Sequence, residues 1–190
     1  MTPPPDGGAY ALGSGRFCAY GSGADLIQMF GPPYSAPDLG SLALETDGGG
    51  TPVSSREPLT AIWTHILTAG ELTDFTAARP AALVRRVTAR APLSFILRLN
   101  PAASAVFHPV DGFLTVEIPA GTFFYARYPY PRPVFYRIGW EGALEAQRLN
   151  ERTFHLTCPP GESVLFISGG PELDQAAAGL EQARSAGFPA

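Results

Sequence analysis

The chain has 190 residues, of which 45% are hydrophobic and 16% are charged, a composition that excludes a mainly disordered protein because it provides enough apolar side chains for a core. The formal net charge is −4 and there is no lysine, so no basic run marks a partner such as nucleic acid or an anionic membrane. No apolar run reaches the roughly 20 residues of a membrane span, and 21 glycines with 20 prolines favour short strands over a helical bundle.

The amino terminus, residues 1–9, is predicted to be a flexible lead. It is rich in Pro and Gly and has neither the basic region nor the apolar stretch of a secretory signal peptide. We therefore expect a cytoplasmic protein. In that compartment the two cysteines, Cys18 and Cys158, are expected to be reduced and packed as small apolar side chains.

Short apolar segments separated by Gly, Pro and Asp turns predict β-strands throughout residues 10–170. Residues 94–99 and 113–118 alternate apolar and polar side chains, which is typical of sheets with two unlike faces. The chain shows no β-α-β alternation and no internal repeat, so we predict a mainly β fold, an antiparallel β-sandwich. The predicted strands are residues 16–20, 26–30, 41–45, 60–68, 83–90, 94–99, 113–118, 153–158 and 163–168, with two more inside 123–140.

The last segment, residues 171–187, predicts one short helix. Pro171 suits the first helical position and Gly187 suits the C-cap. The apolar stripe is narrow and includes Leu173 and Leu180. Because a helix of about 15 residues is marginal alone, we expect it to dock on the sandwich, pair with another chain or fray.

The sequence contains no strong candidate for a catalytic residue. The three histidines, His65, His108 and His155, lie in no metal-ligand motif and are interpreted as surface or hydrogen-bonding residues. No carboxylate pair stands out as the acid and base of glycoside hydrolysis. There is no Gly-x-Ser-x-Gly elbow and no phosphate-binding loop, and two isolated cysteines do not form a structural zinc site. We predict no catalytic residue, no metal site and no cofactor.

The most suggestive feature is the aromatic segment, residues 123–140, which carries eight aromatic side chains within 18 positions. Such rings pack in cores and interdomain contacts, and they also stack on the faces of sugars. Both interpretations stay open at this point. Under the second, the candidate carbohydrate-binding residues are Tyr128, Tyr136 and Trp140.

Four segments together carry a resemblance to a known family. They are residues 10–16 (YALGSGR), 85–93 (RRVTARAPL), 159–164 (PPGESV) and 171–187. In that order they resemble the start, the paired central strands, the closing strand and the linker helix of the N-terminal β-sandwich in bacterial six-hairpin glycosidases. Those enzymes place a large super-sandwich before an (α/α)6 catalytic barrel.

The resemblance implies a non-catalytic accessory domain of a glycoside hydrolase. In that family the catalytic acid and base lie in the barrel, so no catalytic residue is carried over to this chain. The expected partners are an (α/α)6 catalytic domain or a second copy of the chain, and a carbohydrate is a further candidate. The alternatives are a stand-alone carbohydrate-binding β-sandwich module and a small cupin-like enzyme, although the histidine cluster of a cupin is missing.

Overall fold

The polypeptide consists mostly of antiparallel β-strands. The computed structural model describes residues 9–31, 36–46, 51–58, 60–77, 79–124 and 128–186, so the predicted flexible lead lies outside the described residues, apart from Ala9. The strands and the helix are β1 Ala9–Gly13, β2 Cys18–Ser22, β3 Asp25–Phe30, β4 Gly40–Thr46, β5 Val53–Arg56, β6 Trp63–Leu67, β7 Gly70–Ala77, β8 Ala82–Ala89, β9 Leu93–Leu99, β10 Ser104–His108, β11 Phe113–Ile118, β12 Phe123–Phe124, β13 Tyr128–Pro129, β14 Val134–Gly142, β15 Glu145–Arg148, β16 Thr153–Cys158, β17 Gly161–Gly170 and α1 Leu173–Ala186.

These strands form two large antiparallel sheets and one small hairpin. The first sheet has seven strands in the order β1-β2-β3-β4-β9-β16-β15, and the second has eight in the order β10-β11-β14-β17-β8-β7-β6-β5. Strands β12 and β13 pair only with each other. The mainly β antiparallel sandwich with a short C-terminal helix is therefore confirmed.

The two faces of the sheets follow the alternation in the sequence. Strand β16 buries Phe154, Leu156 and Cys158 and leaves the side chains between them half-exposed. Strand β11 buries Leu114 and Val116 in the same way. Successive side chains of a strand point to opposite faces, so these positions lie against the other sheet.

The core fills the space between the sheets and draws on both of them. Burying one Leu, Met or Phe side chain contributes roughly 1.5–3 kcal/mol, so this layer dominates the stability of the sandwich. Its largest fully buried apolar members include Phe17, Leu26, Met29, Leu42, Leu72, Phe95, Tyr136 and Phe154.

The C-terminal helix packs on the outer face of the second sheet, against β8, β14 and β17. Leu180 is 1% exposed and contacts a small cluster that includes Val84 and Phe166. Glycines allow the close approach: a Cβ on Gly139 would lie 2.9 Å from the Leu180 methyl groups, and one on Gly179 would lie 2.2 Å from Ser168 Oγ. Of the three expected outcomes for the helix, docking on its own sandwich is the one observed.

The start of the helix differs from the prediction. The Ala176 N–H donates to the carbonyl of Glu172, which makes Glu172 the N-cap and Leu173 the first helical residue. Pro171 therefore precedes the helix. Leu173 is 41% exposed because it lies in the first turn, only three residues after β17 ends at Gly170.

The two cysteines are free thiols, as expected. They lie in β2 and β16 of the first sheet, with β3, β4 and β9 between those strands. At about 4.8 Å per strand the separation is roughly 19 Å, far beyond the reach of a disulfide. Burial raises the pKa of the Cys158 thiol to about 11, so this thiol stays protonated at neutral pH. Within the described residues, no helix has the length and apolar content needed to cross a bilayer.

Candidate functional site

The three predicted carbohydrate-binding residues lie in three different surroundings. Tyr128, in the β12–β13 hairpin, is 72% exposed, whereas Tyr136 is completely buried and Trp140 is half-buried. Tyr136 and Trp140 share one face of β14, about 13 Å apart along the strand. Tyr128 lies in β13, six residues before β14 begins at Val134. The structure therefore does not bring the three rings together.

Tyr136 is a structural residue of the core. Its hydroxyl accepts a hydrogen bond from the Gly31 N–H (3.4 Å) and donates one to the carbonyl of Pro37 (3.2 Å). Burial raises the pKa of Tyr136 above its ordinary value, so the hydroxyl remains a neutral donor. The ring has no exposed face for a sugar, and Tyr136 drops out of the candidate set.

Trp140 is half-buried and packs against the core, and the exposed aromatic side chains lie elsewhere. The Trp140 ring packs at 6.1 Å from the Phe107 ring. On the β12–β13 hairpin, Phe123 is 59% exposed and Tyr128 is 72% exposed. Among the described side chains of the aromatic segment, these two rings are the most exposed to a partner or a ligand.

A group of polar side chains lies inside the sandwich, where apolar residues are the rule. We call Tyr10, Ser54, His65, Asp74 and Arg85 the buried polar network. The guanidinium of Arg85 donates two hydrogen bonds of 2.7 Å to the Asp74 carboxylate. His65 Nε2 lies 3.3 Å from Asp74 Oδ2, and Ser54 Oγ lies 2.8 Å from His65 Nδ1. The Tyr10 hydroxyl is within 3.4 Å of both His65 and Asp74.

Sheet register brings the network together. Ser54 is paired with His65 across β5 and β6, and Asp74 is paired with Arg85 across β7 and β8, so all four side chains share the inner face of the second sheet. Tyr10 reaches them from β1 of the first sheet. Its ring lies over Gly21, where a Cβ would stand 2.2 Å from Tyr10 Cζ.

The network holds a buried ion pair at neutral pH. Burial alone would raise the pKa of Asp74, but the adjacent Arg85 charge and the hydrogen bonds from Arg85 and His65 lower it to about 2. Burial alone would lower the pKa of Arg85, but the Asp74 carboxylate raises it. Burial and the same carboxylate raise the pKa of Tyr10. Asp74 is therefore an anion, Arg85 a cation and Tyr10 a neutral donor.

This ion pair predicts acid sensitivity. Because the pKa of Asp74 is about 2 in the folded protein and near 3.9 in an unfolded chain, its contribution to stability is complete above about pH 5 and is lost as the pH falls toward 2. We expect the free energy of unfolding, measured with urea, to fall over this range. In Asp74→Asn the fall should be smaller, and an equal fall in both proteins would contradict the assignment to Asp74.

A second polar cluster lies on the outer face of the first sheet. His155 Nε2 is 3.0 Å from Glu45 Oε2, and Ser94 Oγ donates to the same oxygen at 3.2 Å. Glu45 also borders an open pocket of about 280 Å³ whose other walls include Asp25 and Pro52. Within the described residues, no group of three or more His, Cys, Asp and Glu side chains is arranged to hold a metal ion.

Sequence comparison identifies no relative: no protein-family model matches the chain, and no curated protein matches it. Comparison of folds gives a different result. The sandwich matches part of a bacterial glucoamylase. That structure, a crystal structure of bacterial glucoamylase complexed with acarbose, aligns with a TM-score of 0.55 and 9% identity, over 95% of this chain and 36% of the glucoamylase chain. At that identity the likeness shows the fold alone, and this chain spans about a third of the glucoamylase's length.

The buried polar network was not predicted from the sequence. Arg85 lies within the predicted strand 83–90, but Asp74 lies in β7, which was not among the predicted strands; both strands bury most of their side chains. A charge at such a position needs an opposite charge on the neighbouring strand. The sequence does not say which strands are neighbours, so the partners of His65 and Tyr10 stayed hidden.

Proposed function

We propose that the chain is a non-catalytic accessory β-sandwich domain that supports the (α/α)6 catalytic domain of a carbohydrate-active glycoside hydrolase. The observation that carries the proposal is the fold match, which takes in 95% of this chain and only 36% of a bacterial glucoamylase. The match fits a part that accompanies a larger catalytic unit. The four segments of family resemblance point to the same class of enzyme, and a cytoplasmic location belongs to the proposal.

The chemistry of Asp74, the fully buried carboxylate, agrees with a non-catalytic role in glycoside hydrolysis. A glycosidase acid must be protonated near neutral pH and must reach the glycosidic oxygen. Asp74 is fully buried, and its pKa of about 2 keeps it ionised.

The exposed hairpin supports the choice of partner. Phe123 and Tyr128 project on β12 and β13, a pair of strands outside both large sheets. Large aromatic side chains are enriched in protein interfaces because they bury much area at low entropic cost. We assign this hairpin to the contact with the catalytic domain.

The test combines the isolated chain with a separately expressed fragment that contains an (α/α)6 glycosidase domain of the same organism. We expect the isolated chain to cleave no aryl glycoside and to bind that fragment in calorimetry. The Phe123→Ser and Tyr128→Ser exchanges together should weaken that binding at least about 10-fold, since each removes a large apolar contact. Tyr20→Ser, which removes an exposed ring on β2, is the matched control and should change nothing.

Two results would overturn the proposal. Turnover of an aryl glycoside that disappears on replacement of one carboxylate would make the chain an enzyme. Binding of maltotetraose through Tyr128, without binding of the fragment, would favour the stand-alone carbohydrate-binding module.

A further inference from the structure

We propose that Ser54, His65 and Asp74 form a catalytic triad that hydrolyses esters, with Ser54 as the nucleophile that becomes acylated. The substrate class is small acyl esters of polyhydroxy compounds. We call the three residues the relay. In the proposed function the chain takes no catalytic part in glycoside cleavage. Ester hydrolysis at Ser54, which the sequence did not predict, is a separate activity and does not depend on the accessory role. It rests on hydrogen-bond order, strand register and a neighbouring pocket.

The hydrogen bonds of the relay run in one direction, from Ser54 through His65 to Asp74. Asp74 is ionised and can only accept hydrogen bonds, so the ring nitrogen that faces it at 3.3 Å, His65 Nε2, is the donor. In the neutral imidazole the other nitrogen, Nδ1, is then an acceptor. The Ser54 hydroxyl, 2.8 Å from Nδ1, therefore donates its proton to that nitrogen. This is the order of a Ser-His-Asp triad, with the two ring nitrogens exchanged.

The remaining members of the network position the relay. The fork of two 2.7 Å bonds from Arg85 fixes the Asp74 carboxylate, and the Tyr10 hydroxyl donates to Asp74 Oδ2 at 3.4 Å. His65 is fully buried, so water does not compete for Nε2. Ser54 is half-exposed and is the one member of the relay that a solute can reach.

Strand β5 is the last strand of the second sheet, so some of its backbone N–H groups point away from the sheet. The Glu57 N–H donates to the carbonyl of Ile62 on the β6 side, and in an antiparallel pair this orientation alternates along the strand. Ser54, three residues earlier, therefore directs its own N–H away from β6 to the open edge. In serine hydrolases the N–H of the nucleophile is a donor of the oxyanion hole.

The pocket of about 280 Å³ lies beside the start of β5 but is not lined by Ser54 itself. Pro52, one of its walls, lies two residues before Ser54, so their Cα atoms are at most about 7 Å apart. Two further walls, Asp25 and Glu45, present carboxylate oxygens, which accept hydrogen bonds from hydroxyl groups. An ester whose alcohol part carries several hydroxyls fits this lining.

The chemical step balances with water as the second reactant. Ser54 Oγ attacks the ester carbonyl carbon while its proton moves to His65 Nδ1, and the carbonyl oxygen becomes the oxyanion. Collapse breaks the bond to the alcohol, which takes the proton from Nδ1 and leaves acyl-Ser54. Water then attacks the acyl carbon, releasing the acid and restoring the Ser54 hydroxyl.

The test uses the full chain and a fluorophosphonate probe, with the labelled residue located by tandem mass spectrometry. We expect covalent labelling of Ser54, lost in Ser54→Ala and reduced at least about 100-fold in His65→Gln. Ser55→Ala is the matched control, because Ser55 is the next residue and points to the opposite face of β5, and it should label at the wild-type rate.

Substrate turnover is measured with p-nitrophenyl acetate and with acetylated glucose. We expect release of acetate from both, abolished by Ser54→Ala and unchanged by Ser55→Ala. The proposal is overturned if the folded wild-type chain shows no label at Ser54, if Ser54 and Ser55 label equally, or if neither ester is cleaved. The labelled residue is identified in the wild-type protein, so the proposal is tested even if a variant fails to fold.

Discussion

Asp74→Asn is expected to lower the free energy of unfolding by about 3–5 kcal/mol. The exchange keeps the shape of the side chain but removes the negative charge that pairs with Arg85, which is 1% exposed. An unpaired guanidinium inside a protein is strongly destabilising, because it has lost its water and gained no counter-charge. Urea unfolding at pH 7, followed by tryptophan fluorescence, measures the difference.

The control for this prediction lies on the same strand. Glu71→Gln also removes one negative charge from β7, but from a half-exposed position, and should change the free energy of unfolding by less than about 0.5 kcal/mol. The double exchange Asp74→Leu with Arg85→Met should recover most of the loss, since apolar pairs replace buried ion pairs with little change in stability. A loss below about 1 kcal/mol in Asp74→Asn would show that Arg85 finds another partner or water.

Much of the fold could be predicted because most strands bury one face. The pattern of Phe154, Leu156 and Cys158 in β16 indicates a half-buried strand directly, since the period of two in the sequence is the period of the backbone. Strand β7 shows the opposite case. Its inward positions include Asp74 and Thr76 and its outward positions include Phe75, so apolar alternation fails there. What the sequence does not reveal is that Arg85, on the next strand, forms an ion pair with Asp74 and so allows this charge to be buried.

The candidate sites depended on long-range contacts and were harder to predict. Tyr128, Tyr136 and Trp140 are close in sequence, but strand parity turns Tyr136 into the core, where it follows Val134 and precedes Ile138. Chain proximity therefore says little about which rings share a surface. Tyr10 meets His65 and Asp74 across 55 and 64 positions of sequence, and only the pairing of the two sheets brings them together.

Leu180→Asp is expected to release helix α1 from the second sheet. Leu180 is 1% exposed and packs against Val84 and Phe166, so the exchange removes a buried side chain and places a charge against apolar atoms. The loss is about 3 kcal/mol or more, and a helix of 14 residues has little stability of its own. Since 1.4 kcal/mol is a factor of ten, amide hydrogens of α1 should exchange at least about 100-fold faster, while those of the central strands keep their protection.

Leu173→Asp is the matched control for the release of the helix. It changes the same residue type on the same helix, seven positions earlier, but at a site that is 41% exposed, and an acidic side chain in the first turn is favoured by the helix dipole. Exchange of the α1 amides should therefore stay within a few-fold of the wild-type rate. Equal acceleration in Leu173→Asp and Leu180→Asp would contradict docking of the helix through Leu180. Loss of protection in the strands of Leu180→Asp would show instead that the helix and the sandwich unfold as one unit.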